Sequence, residues 1–421
     1  MLRSSTVSLN EVQARGTSSE DGARIPVLGI VLTLGSMSRP RSLPSLSVRN
    51  FAQIKHADVP LGDLSVLVGP QASGKSLALQ LLKLCLDGQR VTRILLDNGF
   101  AWSGVEGLAE RIFGEGMGRA WRKRTSVSMG GHALHLDALA SEARKLSSPQ
   151  QVFYVPAQRA LTIMDGWPLS FPQGPLGTPF VVRQFSEHLA GILRSVSSSG
   201  RIFSLETPKL KLGLRRAVDD ALFRGAALDL ATIRGKTELR LIQGKAQLPT
   251  IAWTAGQREF VPLLIALYAL LPAGKRTRDH DIEWIILEEP EMGLHPKGIL
   301  AVMLLALELL ARGYRVVLST HHPLVLDIVW GLTRLQEQPG RGGGQRVLRM
   351  LGADPDLLPI AQAALQKRYT ITHFGPGERG QVLTTDISSL DPGSSNPIVE
   401  GWGGLSGLSG RIGDIVAEAA Q

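Results

Sequence analysis

The sequence predicts an α/β fold: a mixed, largely parallel sheet flanked by helices and carrying a helical insertion. Three observations predict it. Short apolar runs alternate with stretches of helical periodicity, a Gly-rich loop stands between a strand and a helix near residue 70, and a later apolar run ends in two glutamates. Strands that alternate with helices at this spacing pair side by side in one sheet.

Taken in order, residues 1–44 are rich in Ser, Arg, Gly and Pro without periodicity, which predicts a flexible leader, with Met37 as an alternative start. Ser45–Phe51 and Leu64–Val68 read as strands, and Leu77, Leu81 and Leu84 give Ser76–Leu86 a helical face. Residues from about 88 to 150 read as an insertion, with helices near Val105–Phe113 and Leu134–Leu146. Val152–Val155 returns to strand character, Arg183–Val196 to helix, and a mixed region runs to about 250. Beyond it, Arg258–Leu271, Ile299–Ala311 and Leu324–Trp330 read as helices and Trp284–Leu287 and Val316–Leu318 as buried strands. The glycines of Gly340–Gly344 mark a loop, after which Arg346–Leu351 and Tyr369–His373 are strand-like. The expected division is a leader (1–44), a core (45–335) with its insertion, and a small C-terminal α/β extension (336–421).

The bulk composition narrows the functional classes. At 421 residues and 43% hydrophobic content the chain buries a sizeable core. The formal charge of +9 permits contact with nucleic acid without demanding it. The single cysteine, Cys85, excludes an internal disulfide and suits a reducing, cytoplasmic compartment. Its apolar setting points to a buried structural thiol. The longest apolar runs, Pro26–Gly35 and Gly298–Ala311, fall short of the ~20 residues a membrane helix needs. Glu11, Glu20 and Asp21 interrupt the region where a secretory signal would lie. No membrane association is expected.

Chemistry concentrates in three strand ends. Gly69-Pro70-Gln71-Ala72-Ser73-Gly74-Lys75-Ser76 follows a strand and opens a helix, as a phosphate-binding loop requires. Its glycines let the backbone wrap phosphates, the amides of 72–76 and the helix N-terminus donate to negative charge, Lys75 reaches the β- and γ-phosphates, and Ser76 binds Mg²⁺. Ile285-Ile286-Leu287-Glu288-Glu289 then places two carboxylates at the carboxyl edge of the sheet. Glu288 suits the Mg²⁺ shell and Glu289 suits polarising an attacking water. Ser319-Thr320-His321-His322-Pro323 ends a further strand, and a histidine there can hydrogen-bond a γ-phosphate or the water. Zinc does not fit, because adjacent histidines point apart and no spaced further ligand follows.

The pieces GPQASGKS, TAGQRE (Thr254–Glu259), IILEEPEMGLHP (Ile285–Pro296) and STHHP (Ser319–Pro323), in this order, resemble the ABC-type ATPases of the OLD and SMC-like group. That group includes AAA-type defence ATPases of bacterial anti-phage systems, and the resemblance runs from about Ser45 to Trp330. It implies ATP and Mg²⁺ as ligands, with Lys75 and Ser76 as the Walker A pair, Glu288 as the metal-binding acid, Glu289 as the catalytic glutamate and His321 as the switch histidine. Gly256 and Gln257 match the signature loop and Leu294-His295-Pro296 the D-loop. The implied assembly is a homodimer that closes through its ATP sites.

Tyr154–Arg159 resembles a strand-end segment that often reads Pro-Ala-Glu-Arg, with Gln158 here in place of the acid. Asp354-Pro355-Asp356 has the bare spacing of a nuclease pair, but its proline and missing upstream strand make it a turn. No heptad array supports a long coiled coil. An effector, whether nuclease or toxin, is therefore expected on a separate chain.

Two basic clusters remain, Arg119, Arg122, Lys123 and Arg124 around Trp121, and Lys209, Lys211, Arg215 and Arg216. Interleaved cations and aromatics can bind nucleic acid, or they form a solvated face. Alongside a sensor ATPase of a defence system stands a nucleic-acid clamp in repair or recombination. A transporter ATPase subunit fits less well, since Thr254-Ala255-Gly256-Gln257 differs from the longer Leu-Ser-Gly-Gly-Gln signature.

Overall fold

The computed structural model describes residues 43–142, 149–196, 201–203, 210–271, 281–338, 340–377, 380–407, 412 and 415–418. The expected leader, Met37 and Lys209 lie outside them, except that Pro44 already accepts a hydrogen bond from Leu61 N–H at 2.8 Å.

The chain opens with a hairpin, β1 (Ser45–Phe51) and β2 (Ile54–Pro60), and then β3 (Leu64–Val68) leads through the Gly-rich loop into α1 (Lys75–Asp97). The insertion holds α2 (Gly104–Phe113), two short strands β4 (Ser126–Met129) and β5 (His132–Ala133), and α3 (Leu136–Glu142). Sequence reading anticipated its helices and not its strands, which extend the sheet through antiparallel pairing of β4 with β1. Next come β6 (Val152–Val155), a small hairpin of β7 (Ile163–Met164) and β8 (Trp167–Pro168), and α4 (Phe180–Val196).

The mixed region resolves into β9 (Arg201–Phe203), α5 (Leu212–Val218) and the strands β10 (Ala227–Ile233), β11 (Lys236–Gln243) and β12 (Ala246–Pro249). These four strands form a separate antiparallel sheet. Then α6 (Ala255–Ala269), β13 (Trp284–Glu288), α7 (Pro296–Ala311), β14 (Arg315–Thr320) and α8 (Pro323–Glu337) alternate. The chain continues with α9 (Gly343–Leu351), α10 (Leu358–Ala364), β15 (Tyr369–Pro376), β16 (Val382–Asp386) and α11 (Pro397–Glu400).

The main sheet has ten strands in the order β5-β4-β1-β2-β16-β15-β3-β14-β13-β6. From β15 to β6 all neighbours run parallel. The period of two sends Leu64, Val66 and Val68 to one face, with α6, α7 and α8, and Leu67, Val317 and Ile286 to the other, with α1 and α2. Burial on both faces explains why these strands read as unbroken apolar runs.

One expectation changes. Arg346–Leu351 is helical, because Val347, Leu348 and Leu351 are buried at helical spacing and Gly342 supplies a left-handed N-cap (φ 87°). The expected C-terminal extension (336–421) contributes to the main sheet: β15 pairs with β3 there, so the chain supplies the neighbour of its own phosphate-loop strand from far downstream.

A buried ion pair fixes where α1 bends. Lys83 Nζ lies 2.5 Å from Asp87 Oδ2 and donates to Val152 O at 2.8 Å, while Asp87 accepts from Gln151 and Val152 N–H at 2.9 and 3.2 Å. Both side chains are buried, and Asp87 leaves helical geometry (φ −121°, ψ 18°). The pair ties the middle of α1 to the start of β6.

Candidate nucleotide site

The loop between β3 and α1 has the backbone of an anion cradle. Gly69 (φ 143°), Ala72 (φ 58°) and Gly74 (φ 90°) all take left-handed conformations. At Gly69 a Cβ would stand 2.2 Å from Phe374 O on β15, so no other residue fits. Lys75 Nζ donates to Gly69 O (2.9 Å), Pro70 O (2.8 Å) and Ser73 Oγ (3.4 Å), closing over its own loop. A triphosphate would take over those donors. Gln71 and Ala72 stand exposed at the crest, and Gln53 Nε2 reaches Ala72 O at 3.0 Å from the β1–β2 turn.

Burial lowers the Lys75 pKa from 10.5 to about 8, against an opposing pull from Glu289 and Glu291. The sign follows directly. Below pH 8 the ammonium is charged and ready for phosphate; above it the free protein loses this proton, while bound triphosphate favours its return. ATP affinity should therefore fall as pH rises past 8, and binding near pH 8 should take up a proton. Calorimetry in two buffers of different ionisation heat measures the uptake, and a pH-independent affinity between 7 and 9.5 would contradict it.

The end of β13 adds the carboxylates. Glu288 is almost fully buried, accepting from Tyr154 OH at 2.7 Å and Ala157 N–H at 3.0 Å, with the Ser76 hydroxyl as a further donor. Burial raises its pKa, and these hydrogen bonds oppose the rise. Ser76 and Glu288 thus converge as two hard oxygen ligands, on a buried carboxylate with no ion pair among the described residues. That donor set fits Mg²⁺. Tyr154, whose own pKa burial and Glu288 push up, was not singled out from sequence; a phenol on an apolar strand looks like core.

Glu289 has a different setting. Its φ is 41°, its N–H donates to Ser319 O (3.0 Å) and Oγ (3.3 Å), and Oε1 lies 2.7 Å from His321 Nε2. Both side chains are about a quarter exposed. Glu291, to which sequence gave no role, accepts from Thr320 Oγ1 (2.6 Å) and His321 N–H (2.9 Å) and so holds the β14 end in place. Its Oε2 is buried with no hydrogen-bond partner among the described residues.

Thr254 caps α6. Its hydroxyl accepts from Gln257 N–H (3.2 Å), Gln257 Oε1 accepts from Thr254 N–H (3.0 Å), and Gln257 Nε2 donates to Leu222 O (3.1 Å). Gln257, expected to contact nucleotide, has its amide and both ends of its carboxamide hydrogen-bonded within its own chain. The amides of Ala255 and Gly256 remain without a hydrogen bond among the described residues. Gly256 abuts the Glu289–Pro296 turn, where a Cβ would meet Gly293 O at 2.9 Å. His295 accepts from Lys297 N–H and caps α7.

The basic clusters separate. Arg119, Arg122, Lys123 and Arg124 are exposed and carry no ion pair among the described residues. Trp121, which stands among them, packs edge-on against Phe51 at 5.7 Å. In the second cluster Lys211 pairs with Glu308 (3.2 Å) and Arg216 with Asp354 (3.4 Å). Asp356 accepts from Gly213 N–H (3.0 Å), so the Asp-Pro-Asp turn docks α5.

A family model described as "AAA domain, putative AbiEii toxin, Type IV TA system" matches residues 246–327, the span that holds Gly256, Glu288, Glu289 and His321. No protein of curated function matches the chain. Solved structures that resemble it include an SMC head bound to the C-winged helix domain of ScpA (11% identity, 81% of this chain, 96% of that chain, TM-score 0.39). Others are the SMC head domain from Thermotoga maritima (11%, 82%, 98%, 0.32) and a dimeric bacterial ABC transporter cassette (15%, 66%, 89%, 0.30).

Proposed function

We propose that the chain binds and hydrolyses ATP with Mg²⁺, acting as a dimer in which each nucleotide lies between the P-loop of one protomer and the α6 N-terminus of the other. One observation carries the reading: the ends of β3, β13 and β14, neighbours in one parallel sheet, bring together Lys75, the Ser76–Glu288 contact and the Glu289–His321 pair. Backbone amides of 72–76 and Lys75 hold the phosphates, and Ser76 and Glu288 hold Mg²⁺, which when bound offsets charge on the β- and γ-oxygens. Glu289 accepts a hydrogen bond from the attacking water and orients it, while His321 fixes the carboxylate. The amides of Ala255 and Gly256, without a hydrogen bond among the described residues and at a helix N-terminus, suit a γ-phosphate, and the P-loop already supplies one such terminus within its own chain, so the second serves another copy.

Lys75→Ala tests the site. Affinity for a fluorescent ATP analogue should fall by at least about tenfold, because the main charge facing the phosphates is gone. Unchanged affinity would show that the nucleotide binds elsewhere.

The resemblance in motif order supports a narrower role, the sensor ATPase of a cytoplasmic anti-phage system whose effector, a nuclease or toxin, is a separate chain. Co-expression with the products of neighbouring genes tests it, an ATP-dependent complex being the expected result. Burial raises the Cys85 thiol pKa to about 12, which suits a structural cysteine in this setting. Among the described residues no helix is long and apolar enough to cross a membrane.

The exposed cations of 119–124, with no ion pair among the described residues, favour a second reading, a clamp on nucleic acid. Binding should be sequence-independent and fall steeply between 50 and 200 mM salt, as counterion release requires. Filter binding should show the salt slope lowered by roughly two to three after Arg122, Lys123 and Arg124 are changed to Glu. An unaltered slope would leave that loop a solvated face.

A further inference from the structure

We infer that Arg159 is a positioning residue that couples the N-terminal turns of α6 to the aim of the Glu289 carboxylate. The inference rests on the shared-site reading above and adds to it a route between the two halves of each protomer.

Arg159 follows β6 and is fully buried. A guanidinium is seldom buried unless its donors are satisfied, and here they reach three different segments. Nε donates to Glu259 O at 2.8 Å and lies 3.6 Å from the Glu259 carboxylate. One terminal nitrogen donates to Pro156 O (3.4 Å) and Glu288 O (3.1 Å), the other to Glu289 O (3.1 Å). One planar fork thus joins α6, the end of β6 and the peptide of the catalytic glutamate.

The consequence lies in how Glu289 is held. Ser319 takes its N–H and Arg159 its carbonyl, so its peptide is gripped from β14 on one side and from the α6 side on the other. Between those grips Glu289 keeps a left-handed φ of 41°, a conformation a non-glycine residue retains only when its surroundings impose it. The other end of the fork grips Glu259, only three residues beyond Gly256. Gly256 itself rests against Gly293 in the turn that follows Glu289. A γ-phosphate docking on the Ala255 and Gly256 amides therefore pulls on the helix that Arg159 holds, and the pull reaches the Glu289 carbonyl. Lysine keeps the charge but has no planar fork to span three segments.

Arg159→Lys is the test, with ATP affinity, ATP-induced dimerisation and steady-state kinetics measured together. The expected result is affinity within about twofold of wild type, dimer formation retained, and kcat lowered at least about tenfold with KM unchanged. Arg159→Lys combined with Glu289→Gln should still form the ATP-bound dimer, separating docking from its transmission. Glu259→Gln, at a partly exposed position, removes only the ion pair and should lower kcat several-fold in the same pattern; it decides the matter if Arg159→Lys does not fold. Full turnover overturns the coupling, and so does a parallel loss of ATP affinity and melting temperature, which marks a merely structural residue. A Glu289→Gln protein that stays monomeric with ATP overturns the shared-site reading and the coupling with it; dimerisation there together with full turnover in Arg159→Lys overturns the coupling alone.

Discussion

Glu289→Gln is expected to slow ATP turnover by about 10²- to 10³-fold while leaving ATP binding intact. The size of the loss follows from what changes. Glutamine keeps the length of the side chain and can keep a hydrogen bond to His321, now 2.7 Å from the carboxylate, and the peptide stays gripped by Ser319 and Arg159. Only the negative charge and the basicity toward water are lost. Removing that charge also relieves repulsion of the γ-phosphate, so nucleotide should persist and hold two protomers together. Light scattering with ATP and Mg²⁺ should report twice the monomer mass. In the same background a tryptophan at Gly256 should return the protein to a monomer, with ATP affinity and melting temperature as checks on the fold. A dimer that survives at Gly256→Trp would remove the trans role from this loop and leave the P-loop standing.

The largest stability effect is expected at Asp87→Ala, a loss of about 3–5 kcal/mol. The change strands the Lys83 ammonium, which is 1% exposed, and strips the acceptor from the amides of Gln151 and Val152. Burial alone already drives the Lys83 pKa down, and Asp87 is the group that opposes it. Lys83→Met combined with Asp87→Leu removes both charges and should recover most of the loss on that side of the ledger. Urea melts of the three variants measure it. A single-variant loss under about 1 kcal/mol would mean that water reaches the pair in solution.

How much of this was legible in the sequence varies with the kind of residue. Gly69, Gly74, Lys75 and Ser76 were readable because a phosphate loop needs those residue types at that spacing between a strand and a helix. Glu288 and Glu289 were readable because charge directly after an apolar run marks a strand end. The burial of Arg159 and Glu291 was not, although both lie in segments whose resemblance was noted, since in one dimension a charged side chain looks solvent-exposed; the partners of Arg159 on three segments and of Glu291 at the β14 end show why they are buried. The bonds of Gln257 to Thr254 and Leu222 were not readable either, because a polar residue in a motif shows nothing of the partners it has in its own chain. Val347 and Leu348 are apolar neighbours that fit strand or helix equally until Leu351 shares their buried face. The place of β15 beside β3 was hidden because parallel strands choose partners through side-chain packing across the whole domain.

That placement has a bearing on biosynthesis. The strand that carries the P-loop needs β15 on one edge, and Arg368 N–H reaches back to the Asp63 carboxylate at 2.8 Å, a contact spanning 305 residues. On the ribosome the P-loop emerges early, yet its strand gains this neighbour only after nearly the whole domain has been translated. Closing so long a loop is slow, and until it closes the edge of β3 stays open to wrong partners. The nascent chain should accordingly gain ATP affinity late, once β15 has left the exit tunnel.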